Sequence, residues 1–388
     1  MKILSVVGAR PNFMKIAPFI RAIEKYNHEN RGGIQHVLVH SGQHYDIRMS
    51  EAFFTALGIP DPDINLEIGS GSHAEQIGYT MVAFEKILLE QKPDWVVVVG
   101  DVNATLSCSV VAKKLNIKLC HIEAGLRSGD MTMPEEINRL VTDRLSDLLL
   151  TPDTLSSENL RKEGTPEEKI HFVGNIMIDT FEANREKSGD LQLETIIKEN
   201  LVAGCIIPKR SPFDFSYVLM TLHRPSNVDP EGVFIPLIKF LLNEVTKDYL
   251  LIWPIHPRAR KQLIKLGLWN SVINNPSLIL LEPVGYLEMV RLNMGAKLML
   301  TDSGGLQEEC CVLGTPCLTL RWNTERPITL RKNGGASVLV GNNIDRIRKE
   351  YFNTLTLDRI PYRPELWDGH AADRIIAKLI EADQILKY

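Results

Sequence analysis

The chain reads as two doubly wound α/β halves, each a parallel sheet covered by helices on both faces. Short, continuously apolar runs alternate with helix-periodic stretches from the first residues onward, the signature of strands buried on both sides. The alternation stops at a charged, helix-periodic passage that begins near residue 181, and then starts again. The length agrees: 388 residues make two or three domains at about 100–200 residues each.

In the first half, residues 3–7 form the opening strand, followed by an amphipathic helix over 12–26. Further strands are expected at 36–40, 95–99, 118–122, 148–151 and 171–173, with a helix over 104–115. In the second half, strands are expected at 217–221, 250–254, 277–281, 297–300, 317–320 and 337–340. Helices fall near 236–246 and 305–313, and 371–388 is a final amphipathic helix. The boundaries expected are 1–180 for the first domain, 181–209 for the passage and 210–365 for the second domain.

Composition excludes several classes. The formal net charge of −4 offers no basic surplus for nucleic acid or an anionic membrane. The aliphatic runs are a handful of residues long, whereas a membrane-spanning helix needs about 20. The opening MKILSVVGARP is too short before Arg10 for a signal peptide, so a cytoplasmic location is expected. The six cysteines have neither Cys-x-x-Cys nor Cys/His ligand spacing, so neither a metal nor a disulfide framework is expected.

Ligands of open α/β sheets sit beyond the carboxyl ends of the strands, so those positions are the candidates. After the first strand, Arg10 and Lys15 flank a helix start that favours an anion, although both also suit a solvated turn. After the third comes Gly100-Asp101, where Asp101 serves equally as a helix cap. After the fourth come Glu123 and Gly125. Next, Pro134 fits a first helical turn, and Glu135 and Arg139, four apart, share a face as a possible surface ion pair. Three acids at successive loop positions, Asp101, Glu123 and Glu135, suit proton transfer if they converge on one cleft. In the second half His223 follows a strand, and His256 does so with a weaker claim. The strongest segment is Thr301-Asp302-Ser303-Gly304-Gly305, where a strand ends and a helix opens as a phosphate cradle. Glu309 lies one turn on, where it would grip ribose hydroxyls, and Arg326 adds a cation. No Gly-x-Gly-x-x-Gly follows the first strand, which disfavours a dinucleotide cofactor.

Together these segments resemble the non-hydrolysing UDP-N-acetylglucosamine 2-epimerases. GARPNFMKIAP, GDVNATL, HIEAGLRSGD, MPEEINR, VGNIMID, TLHRPSN, TDSGGLQEE and TERP run in the family's order over nearly the whole chain. The resemblance implies a GT-B-like fold, two Rossmann-like domains facing a deep cleft, with the final helix (368–388) returning to the first domain. It implies no cofactor and no metal. UDP would lie on the second domain, held by Ser303, Gly304, Gly305, Glu309 and Arg326, with the uracil near Val284 and Met289. Arg10, Lys15, Asp101, Glu123, Glu135, Arg139 and His223 would surround the diphosphate and sugar. The implied reaction interconverts UDP-N-acetylglucosamine and UDP-N-acetylmannosamine by elimination and re-addition of UDP, supplying surface-polysaccharide precursors. A homodimer is expected, as are a UDP-sugar and UDP as partners.

Two departures stand out. The family's Arg-Pro-Glu after the first strand is Arg-Pro-Asn here, with Asn12, and a later Arg-Pro-Glu is Arg326-Pro327-Ile328. They keep open a 2-epimerase for a related UDP-2-acetamido sugar, such as UDP-2,3-diacetamido-glucuronic acid. A GT-B glycosyltransferase is the other alternative, because fold does not fix function. Some relatives bind a second UDP-sugar as activator, near the loop that carries Gln43 and His44.

Overall fold

A computed structural model describes residues 1–8, 10–42, 58–205 and 216–385, and only the backbone of residues 10, 11 and 385. The described residues form two compact units, one of residues 1–183 and 364–388, the other of 184–363.

The first unit is built on seven parallel strands: β1 (Lys2–Val7), β2 (Gln35–His40), β3 (Ile64–Asn65), β4 (Trp95–Val99), β5 (Lys118–Ile122), β6 (Leu148–Thr151) and β7 (Ile170–Phe172). Their spatial order is β3-β2-β1-β4-β5-β6-β7. β4 reads WVVVV and every residue of it is buried, as a strand flanked by helices on both faces requires. The order reverses between β1 and β4, which pair through Ile3↔Trp95 to Val6↔Val98. That reversal opens a crevice at the carboxyl ends. Into it run the loop before the helix Arg10–Glu29, the loop before the helix Asn103–Lys114, and the loop after β5 that leads to the helix Pro134–Leu145.

The second unit repeats the plan. Its strands are β8 (Tyr217–Thr221), β9 (Leu250–Pro254), β10 (Leu278–Leu281), β11 (Leu298–Thr301), β12 (Cys317–Thr319) and β13 (Ser337–Leu339). Their order is β10-β9-β8-β11-β12-β13, again all parallel, with the reversal between β8 and β11. Val218, Met220, Trp253, Leu300 and Leu318 form the core on one face, under Phe234, Leu237 and Tyr351 from the helices.

The last helix, Ala371–Ile385, belongs to the first unit and packs on Arg10–Glu29. Its start is capped from a distance. Asp179, on the helix Ile176–Asp190, accepts from Ala371 N at 3.0 Å and Ala372 N at 2.7 Å. Further along, Trp95 Nε1 donates to Asp383 at 3.3 Å.

Some elements differ from the periodicity reading. The helix His73–Gln91 goes unmarked by the pattern because Tyr79, Val82 and Leu89 stay exposed, blurring its amphipathic stripe. Its start is nonetheless written in the sequence, as a Ser72/Glu75 capping box. In the second unit the helix expected near 236–246 begins earlier, at Glu231. Pro236 lies inside it, and a π-helical turn, Leu241–Val245, follows.

Candidate active site

In the first unit, the carboxyl ends of β1, β4 and β5 gather a charged cluster. Lys15, on the first helix, is buried and forms an ion pair with the buried Glu123 at the end of β5. Glu123 adopts φ +72°, a left-handed conformation that costs a side-chain-bearing residue about 1–2 kcal/mol. In that conformation its carboxylate meets Lys15. Asn12 is also buried. Its Oδ1 accepts from Gly8 N at 3.2 Å and its Nδ2 donates to Val99 O at 2.8 Å, so the amide staples the β1 turn to the end of β4. A carboxylate there would keep the first contact and oppose the second.

Asp101 pairs with Arg139 from the helix Pro134–Leu145. It does not cap the next helix, whose N-cap is Val102 without a side-chain bond. Arg139 is almost wholly buried, and its Nε donates to Glu136 Oε2 at 3.1 Å. The ion pair drawn from the sequence was Glu135 with Arg139. In the structure the partner is Glu136, three residues away, while Glu135 is exposed on the first turn. Glu136 also accepts from Ser128 N at 3.0 Å and Gly129 N at 2.8 Å. Burial pushes its carboxyl up, but those bonds and Arg139 outweigh it and hold it below the usual range.

In the second unit, His223 follows β8. Its Nδ1 lies 2.7 Å from Asp302 Oδ1, leaving the other ring edge to face outward. Asp302 is fully buried and accepts from Arg224 N at 2.8 Å and Asn227 Nδ2 at 3.1 Å. Burial raises its pKa, yet the contacts with His223 and the backbone bring it below the ordinary value. The His256 ring is 5.9 Å from that of His223, and its Nδ1 accepts from Arg258 N at 3.1 Å. The proton of a neutral His256 therefore sits on Nε2.

Ser303 opens the helix Gly304–Leu313 without capping it, so its hydroxyl makes no intrahelical cap bond. A Cβ on Gly304 would come within 2.8 Å of Arg326 Nη1 and Glu325 Oε1, so a larger residue there would have to displace those two side-chain ends. Arg326 is buried between two carboxylates, with Nε 2.8 Å from Glu308 Oε1 and Glu325 on its other side. Arg321 holds Glu325 at 2.6 Å. Sequence reasoning named Arg326 but missed the three charges that orient it; their spacing inside RWNTERP and QEE was the available signal. Glu309 is buried among core residues. Burial, then the neighbouring Glu308, drives its pKa up to about 8, against the opposing pull of Tyr286 and Asn293. Val284 and Met289 are partly buried against the core that contains Leu219 and Ile252. The side chain of Arg10, and Gln43 and His44 altogether, lie outside the described residues. Among the described residues no three His, Cys, Asp or Glu side chains are grouped to hold a metal, and no helix is long and apolar enough to cross a membrane.

Buried carboxylates with fixed cations beside them can move protons, and an open helix start beside a buried arginine can hold a diphosphate. The two parallel-sheet units give the chain a GT-B-like α/β fold. The sequence profile of the UDP-N-acetylglucosamine 2-epimerases matches residues 26–380. The UDP-N-acetylglucosamine 2-epimerase of Methanocaldococcus jannaschii is 40% identical over 97% of this chain and 98% of its own length. The UDP-2,3-diacetamido-2,3-dideoxy-D-glucuronate 2-epimerase of Pseudomonas aeruginosa is 39% identical over 89% of this chain and 90% of its own. A crystal structure of the M. jannaschii enzyme in complex with UDP-GlcNAc and UDP superposes with a TM-score of 0.86. It is 39% identical and covers 98% of this chain and 100% of that one. The chain belongs to the UDP-N-acetylglucosamine 2-epimerase family.

Proposed function

We propose that the chain interconverts UDP-N-acetylglucosamine and UDP-N-acetylmannosamine by inversion at C2. The observation that carries this reading is the pair of carboxylate–cation contacts, Glu123 with Lys15 and Asp101 with Arg139, at the ends of neighbouring strands. A base there would take the C2 proton as the C1–O bond breaks and its electrons leave with UDP, giving a glycal. UDP then re-adds at C1 while C2 receives a proton on its other face. Glu135, exposed at a helix start, remains a candidate for one of these transfers. Ser303, Gly304, Gly305 and Arg326 would hold the departing diphosphate, whose developing charge such preorganised donors stabilise. His223, its outer ring edge free of Asp302, would donate to the same group. A ribose contact from Glu309 needs its buried carboxyl to meet the ligand in the core of the second unit.

A second reading has its own support. Asn12 takes the place where the family's motif has Glu, and its amide is committed to Gly8 and Val99. One carboxylate fewer near the sugar suits a substrate that brings its own, such as the diacetamido-glucuronate of the P. aeruginosa relative. The experiment that separates them is proton NMR in D2O with each UDP-sugar in turn. The first reading expects UDP-N-acetylmannosamine with deuterium at C2 from UDP-N-acetylglucosamine. Turnover of the uronate alone would establish the second, and exchange with neither would remove both. A cytoplasmic site of action accords with the six free cysteines.

A further inference from the structure

The chemistry above leaves His121, Asp143 and Arg127 unused, although they form an enclosed, hydrogen-bonded group in the first unit. His121 is on β5 and wholly buried; Asp143 is on the helix Pro134–Leu145 and almost as enclosed. His121 Nδ1 lies 2.6 Å from Asp143 Oδ1, and its Nε2 lies 2.9 Å from the carbonyl oxygen of Gly100. A carbonyl only accepts. Asp143 already accepts from Gly125 N at 3.0 Å and pairs with Arg127 at 2.7 Å, so it too acts as an acceptor. Both ring nitrogens of His121 therefore donate.

We propose that His121 and Asp143 are positioning residues that set the places of Asp101 and Glu123. One arm of the imidazole grips Gly100, the residue before Asp101. The other arm grips Asp143, which in turn holds Gly125, two residues after Glu123. Gly125 has φ +81°, and a Cβ there would meet Ser156 O at 2.3 Å, so this turn has little freedom. Glu123 is held in its left-handed conformation between β5 and that turn. A single hydrogen-bonded chain thus ties the β4 loop, the β5 loop and the helix that bears Arg139. Catalytic groups misplaced by about 1 Å can cost on the order of 100-fold in rate. The proposal rests on the epimerase reading, in which Asp101 and Glu123 act on the sugar.

The test compares two substitutions that each cut one arm. In His121→Asn the amide nitrogen replaces Nδ1, so Asp143 keeps a donor while Gly100 loses its tether. In His121→Gln the amide reaches the place of Nε2, so Gly100 stays held and the buried Asp143 contact is lost. His121→Asn should lose about 10- to 100-fold in kcat with KM for the UDP-sugar within about threefold. His121→Gln should be the less stable of the two in thermal melts and the more active. A merely structural role gives the opposite order, with kcat following melting temperature, and that result would overturn the proposal, as would wild-type kcat in His121→Asn. If either variant fails to fold, the isosteric Asp143→Asn is measured instead, where a drop of about 10-fold in kcat at constant KM is expected. Unchanged kcat there also overturns it. Wild-type protein that does not exchange C2 of either UDP-sugar would sink the functional reading itself, a result distinct from any variant's.

Discussion

At the scale of single residues, Glu309 ties burial to a pH dependence of stability. Its pKa stands near 8, above the ordinary 4.5, because burial and Glu308 disfavour its charge. A carboxyl whose pKa is raised by folding contributes fully below its unfolded value, and that contribution is lost as pH rises through the folded value. Between pH 4.5 and 8 the native state is therefore progressively weakened by this one group. Glu309→Gln should melt with wild-type protein at pH 5 and on the order of 5–10 °C above it at pH 8. Melts that differ equally at both pH values would refute this. Asp101, Glu123 and His223 were legible as candidates because each follows an apolar strand beside a turn. Glu136 was not, since two adjacent glutamates look alike until the helix phase shows which one faces Arg139. Asn12 showed only as a departure from a motif, because both partners of its amide are backbone groups that the sheet brings near.

Secondary-structure elements were legible in proportion to how evenly they are buried. β4 and β8, enclosed on both faces, are plain in the sequence, while β3 is two residues long and its only sequence signal is a short apolar–polar alternation. The helix Ala371–Ile385 is visible as an amphipathic run, but its cap is not, since Asp179 lies 192 positions upstream of Ala371. Removing that cap should matter more than removing a surface acid. Asp179→Ala leaves two buried backbone donors without their acceptor and should cost about 1–2 kcal/mol, read as a fall of roughly 3–8 °C in Tm. Asp179→Asn keeps one acceptor and should fall between. An alanine variant that melts with wild type would show that the helix is held by its apolar face alone.

At the scale of the whole molecule, the same order appears twice, with the opening strand of each unit third in its sheet and the reversal beside it, and the first sheet adds β7 at its edge. That repetition was legible as a restarted alternation. Which residues complete which unit was legible only through family resemblance, because no local pattern says that a last helix returns to the first sheet. The return has a consequence in the order of synthesis. The first unit comprises residues 1–183 and 364–388, so the 180 residues of the second are made between its two parts. At about 5–20 residues per second the ribosome needs roughly 10–40 s for them. Throughout that interval the face of Arg10–Glu29 that receives the last helix is bare and Asp179 has no helix to cap; when it ends, the second unit has all its residues while the first still lacks its last helix. The later-made half should thus mature first on the nascent chain. Protease pulses on stalled chains cut after residue 363 and extended by a flexible linker long enough to clear the exit tunnel should find 184–363 protected and the first unit cut; equal protection of both would show that the sheet of the first unit stands without its final helix.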